Sequence, residues 1–81
     1  MTIYDKYWDI SFRNKLQERV FEARKKHSWK GIGRAGALAV MAEELGEVAA
    51  CINKDGEHDR FDDELLDYIA VGIRALLHEY E

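Results

Sequence analysis

The chain has 81 residues and a formal net charge of −4 at pH 7, from 12 Lys and Arg against 16 Asp and Glu. So mild an acidic balance gives no case for nucleic-acid binding, which normally shows as a basic excess. No apolar run approaches the roughly 18 residues of a membrane span, so neither a nucleic acid nor a membrane is an expected partner. The only cysteine, Cys51, excludes an internal disulfide. A chain of this length buries only about 60 to 65% of its unfolded surface, which leaves a metal, a partner chain or both as the supports of the fold.

Proline is absent while Ala, Leu, Glu, Lys and Arg are plentiful, and the glycines fall mostly at the edges of periodic segments, so the composition predicts an all-α fold. The expectation is one domain over residues 1–81, a small helical bundle of three main helices plus an N-terminal segment, completed by oligomerisation. With a single thiol and no signal-peptide pattern, the expected compartment is the cytoplasm.

Residues 1–10 carry Tyr4, Tyr7 and Trp8 without a clean period. They fit either a plug over one end of the bundle or the start of the first helix. Ser11 has the hydroxyl of an N-cap, and Phe12, Leu16, Val20 and Ala23, widened by Phe21, recur at helical spacing to about Lys26. Residues 27–33 read as a connector because Gly31 and Gly33 permit a turn. Around it Arg24, Lys25, Lys26, Lys30 and Arg34 form the one basic region, either a solvated charge run or a set of cations at the mouth of a polyphosphate site.

The second helix is predicted from about Arg34 to Asn53. At about 100° per residue, Leu38, Met41, Leu45, Val48, Ala49 and Ile52 share one apolar arc. Glu44 sits on its shoulder, Glu47 follows one turn later, and Glu43 is turned further towards solvent. Gly46 leaves room beside the acids, and Cys51 reads as a small core residue. Residues 53–59 form a turn, Asp59 can cap the third helix, and Asp62 and Asp63 suit its N-terminal dipole. Leu65, Ile69, Ile73 and Leu76 make the predicted main stripe of that helix. Leu66, Tyr68, Val71, Ala75 and Leu77 extend it so far round that burial on more than one face, and hence a subunit contact, is expected. Gly72 reads as a close helix contact, and His27, His58 and His78 as surface residues.

Glu44 and Glu47 are three apart, as are Glu64 and Asp67, so each pair occupies one helix face. Antiparallel packing of the two helices would bring four carboxylates together. Four such charges repel strongly in a low-dielectric site, and a divalent ion is their natural complement. All-oxygen ligation selects Mg²⁺, with Mn²⁺ as a possible substitute, and Mg²⁺ typically shares its sphere with substrate phosphates. A nucleotide or pyrophosphate substrate follows, with Glu43 or Glu47 as the base that takes a proton from water.

Glu43-Glu44-Leu45-Gly46-Glu47, followed by Glu64-Leu65-Leu66-Asp67, resembles the EExxE…ExxD signature of the MazG-like all-α NTP pyrophosphohydrolases, and the resemblance covers about residues 12–77. It implies a Mg²⁺-dependent enzyme that hydrolyses a nucleoside triphosphate to the monophosphate and pyrophosphate, acting in nucleotide-pool cleansing. Carried over by position, Glu44, Glu47, Glu64 and Asp67 would be metal ligands, and Glu43 would support them or orient water. The segment after the third helix is short, so phosphate contacts would fall to Arg74 and, more weakly, to Lys54. Trp29, which the family likeness also includes, fits core or interface packing more commonly than stacking on a base, the role for which it is the candidate here, with Lys30 and Arg34 at the mouth of the site. Dimers or tetramers of the chain would be the functional form. Two alternatives stand beside this: a non-catalytic acidic interaction or regulatory module that retains the fold, and the phosphoribosyl-ATP pyrophosphohydrolase branch, which the EELGE form resembles less.

Overall fold

In a computed structural model the described residues are 9–53 and 60–81. Among them three α-helices are present and no strand: α1 Ile10–Lys26, α2 Gly33–Asn53 and α3 Phe61–Leu76. Tyr4, Tyr7, Trp8, Lys54, His58 and Asp59 lie outside the described residues.

The N-cap of α1 is Asp9 and not Ser11. Asp9 has extended backbone and its carboxylate accepts the Phe12 N–H at 2.8 Å. An acid at this position satisfies an orphan amide and also meets the positive end of the helix dipole, so the helix opens earlier and Ser11 falls in its first turn. Arg24, Lys25 and Lys26 occupy the last turn, where the dipole favours cations.

The connector is a tight turn in which the Ile32 N–H donates to the Trp29 carbonyl at 3.1 Å. Gly31, its third residue, has φ +83°, the left-handed value that a type II turn demands and that glycine adopts without strain. The amides of Gly31 and Gly33 both donate to the Tyr80 carbonyl, so the C-terminal residues clamp the connector. Trp29, Ala37, Val71 and Tyr80 form the core cluster, with Val40, Met41 and Ala75 packed against it.

Arg74 lies inside this end of the molecule, with only 3% of its surface exposed. Its guanidinium donates to Glu79 Oε1 at 2.7 Å, to the His27 carbonyl at 2.9 Å and to the Ala23 carbonyl at 3.3 Å. It also stacks over the Trp29 ring at 4.3 Å. Glu79 is shared with Arg24. One side chain thus ties α3 to the end of α1, the connector and the C-terminus, with its buried charge balanced and hydrogen-bonded as burial requires.

The central element is α3, which packs against both α2 and α1. Its inward residues are Leu66, Ala70, Val71 and Arg74, whereas Ile69 and Leu76 of the predicted stripe are exposed. The helix is apolar on two faces because two helices of its own chain cover them. On α2 the buried residues are Ala37, Val48 and Cys51, while Leu38, Leu45 and Ile52 of the predicted arc face outward. Ala37 packs in the cluster with Val71, and α2 turns the shoulder that carries Glu44 towards the cleft it shares with α3. A Cβ at Gly72 would meet nothing within 4 Å among the described residues, and the predicted close helix contact there is not made among them.

Candidate functional site

The three helices enclose a cleft of about 350 Å³. From α1 it is lined by Arg19, Glu22, Ala23 and Lys26, residues spaced to share one helix face. Val40, Glu44 and Glu47 come from α2; Glu64, Asp67, Ala70, Val71 and Arg74 come from α3. His27 and Trp29 close the end nearest the connector.

Both i,i+3 acidic pairs therefore reach the same cleft. Each of Glu44, Glu47 and Glu64 offers an oxygen, and those oxygens all lie within 4.8 Å of one another. Glu44 and Glu64 are partly buried and Glu47 is exposed. The Oε2 atom of Glu44 is buried with no hydrogen-bond partner among the described residues. Burial, then the charges of Glu47, Asp67, Glu64 and Glu43, push the Glu44 carboxyl up to about 7. Burial and the adjacent Glu64, through its charge and a hydrogen bond, also raise Glu47. A carboxyl that keeps its proton near neutrality among other acids marks a place where positive charge is wanted. Outside the trio, Glu64 accepts from Arg60 at 2.7 Å, one helical turn earlier.

Asp67 lines the cleft but stands outside the trio. Its Oδ1 accepts from Arg19 Nη1 at 2.8 Å. Glu43 is exposed and does not line the cleft. Trp29 lines it while only 4% exposed, and Arg74 occupies one face of its ring. Arg74 lines the cleft too, with its guanidinium engaged by the internal acceptors above. Lys30 is exposed and away from the cleft, and its amide donates to Ser28 Oγ. Arg34 borders a different groove, with Ala37, Leu38 and Met41, and donates to the Tyr80 hydroxyl at 3.2 Å. Among the described residues, a Cβ at Gly46 would meet nothing within 4 Å.

Sequence reasoning gave no role to Arg19, Glu22 or His27 in this cleft. A signal existed for Arg19: it adjoins Val20 and stands one turn before Ala23, a cation on the shoulder of the first helix as the acids are on the shoulders of the others. Comparison of the chain with protein-family models, with curated proteins and with solved structures finds no match.

Proposed function

We propose that the protein is a Mg²⁺-dependent nucleoside triphosphate pyrophosphohydrolase, working as a homodimer or homotetramer. The observation that carries this reading is the convergence of Glu44, Glu47 and Glu64 in one cleft, with a buried Glu44 oxygen that has no partner among the described residues. The donor set fits a hard divalent ion, since it is all carboxylate and leaves positions for water and phosphate oxygens. Glu44, Glu47 and Glu64 would hold the ion and Asp67 would join them. The ion would supply charge neutralisation on the phosphates and a lowered pKa for bound water.

The protein's own groups account for the rest. Glu47 is the exposed acid of the trio and lines the cleft, so it is open to the attacking water whose proton it would take. The water oxygen forms a bond to the α-phosphorus, the bond from that phosphorus to the bridging oxygen breaks, and pyrophosphate leaves. Lys26, on the opposite wall, is placed to meet the negative phosphate chain. Glu43 is assigned no direct part, as it does not line the cleft, although its charge acts on Glu44 and Glu47. The resemblance to the MazG-like signature supports the same reaction. The assembly is supported by Leu38, Leu45 and Ile52, exposed at seven-residue spacing along α2, a seam that suits a second helix.

The test is pyrophosphate release from a panel of canonical and modified NTPs and dNTPs, with and without Mg²⁺, in wild type and Glu47→Gln. Release that needs Mg²⁺ and falls at least about a hundredfold in the variant is expected, given the usual worth of general base catalysis. No release by the folded protein would favour a non-catalytic acidic module. Release from phosphoribosyl-ATP alone would assign the related activity instead.

A further inference from the structure

We propose that Arg19 and the divalent cation compete for Asp67, so that cation binding frees the Arg19 guanidinium to hold the phosphate chain of the substrate. This inference rests on the metal reading above. Arg19 Nη1 reaches Asp67 Oδ1 at 2.8 Å and the Asp63 carbonyl at 3.3 Å, and Nη2 reaches Asp63 Oδ1 at 3.4 Å. Asp63 is 72% exposed in its side chain, so Asp67 is the partner that holds the guanidinium. Asp67 is also the one member of the two acidic pairs outside the trio of converging oxygens. Its partner is therefore a protein cation at the place where the carryover by position puts a metal ligand.

A carboxylate neutralised by one cation has less potential left to offer another. Asp67 can thus serve Arg19 or the ion strongly, but not both. Once released, Arg19 remains on the α1 wall of the cleft with Lys26, two turns further along the same face. Its planar fork of donors matches phosphate oxygens bidentately. As a mere brace between α1 and α3 the pair would contribute little, because Asp67 is 38% exposed and partly exposed pairs are weak.

The experiment is calorimetric titration of Mn²⁺ alone into metal-free wild type, Arg19→Gln, Asp67→Asn and the double variant, followed by steady-state kinetics of the first two. Arg19→Gln is expected to tighten Mn²⁺ roughly fivefold, the size of a weak competing ion pair. The same substitution in the Asp67→Asn background should change affinity less than about twofold; in the single variant Arg19→Gln, KM for the triphosphate should rise about tenfold or more over wild type, with kcat moving less. Should Arg19→Gln fail to fold, Arg19→Lys, which keeps the charge but loses the fork, is expected to tighten Mn²⁺ by a smaller factor. Unchanged affinity would overturn the proposal and leave Arg19 a brace. Equal tightening in both backgrounds would overturn it too, since that is long-range charge without Asp67. No Mn²⁺ binding by wild type or any variant would overturn the metal reading itself, and the competition with it.

Discussion

Glu44 is where the stability of the fold and its proposed chemistry pull apart. Its carboxyl is raised from 4.5 to about 7, first by burial and then by Glu47, Asp67, Glu64 and Glu43. The folded protein keeps this proton from pH 4.5 to about 7 while the unfolded chain releases it, so the contribution of Glu44 to stability falls as pH rises through that window. Glu47 is displaced in the same direction and adds to the fall. Metal-free Glu44→Gln is therefore expected to match wild type near pH 4.5 and to exceed it at pH 8. Allowing for the solvent that reaches the group, the gain is about 1 kcal/mol, or roughly 5 °C in Tm. Thermal melts across pH check this, and a variant that is less stable than wild type at pH 8 would contradict it. Glu79 acts with the opposite sign. Arg24, then Arg74, hold its carboxyl below the usual range, so its contribution is present above the unfolded value and lost as pH falls through the depressed one. Arg74→Lys keeps the charge but cannot reach three acceptors and cover Trp29 together. Urea unfolding is expected to show a loss of about 2 kcal/mol from the charge-assisted hydrogen bonds to the His27 and Ala23 carbonyls that lysine cannot reproduce.

At the scale of elements, the glycines of α2 separate two effects. A Cβ on Gly36 would stand 2.8 Å from the Cβ of Ile32, an atom next to the backbone that cannot swing aside. Gly36→Ala is expected to lose about 1 to 2 kcal/mol by overpacking, although alanine is the better helix former. Among the described residues Gly46 has open space at the same position, and Gly46→Ala should gain about 0.5 to 1 kcal/mol. Denaturant midpoints of the two variants should move in opposite directions. The extents of the helices were legible in the sequence: the period carries α1 to Lys26 and α2 to Asn53, and Gly31 with Gly33 mark the turn between them. Their facing was not. An apolar arc as wide as that of α2 does not say which flank is covered; packing buries Ala37, Val48 and Cys51 and leaves Leu38, Leu45 and Ile52 outward. The two acidic pairs were readable because i,i+3 spacing is a local property. For Arg19 the sequence offered only a shoulder position on α1; its pairing with Asp67, far along the chain, depends on packing. Ser11 misled as a cap because Asp9, two residues earlier, offers a stronger acceptor at the dipole.

For the molecule as a whole, the outward seam of α2 and the 82% exposed Leu76 are apolar surface that a small chain can ill leave in water. Leu45→Glu, at the middle of that seam, is expected to yield monomers in sedimentation at concentrations where wild type associates; a monomeric wild type would contradict the assembly. The described lining of the cleft comes from one chain, with Glu44, Glu47, Glu64 and Asp67 on α2 and α3 and Arg19 and Lys26 on α1, so under this account the cation should bind without help from the seam. The most direct test of that claim is the Tm of the metal-free protein at pH 7.5 as Mg²⁺ is added, in wild type and in Glu47→Gln. Wild type is expected to rise with Mg²⁺, by about 1.4 kcal/mol of linked stability at ten times the dissociation constant, while Glu47→Gln stays level. A wild-type Tm that ignores millimolar Mg²⁺ would contradict the account at its centre.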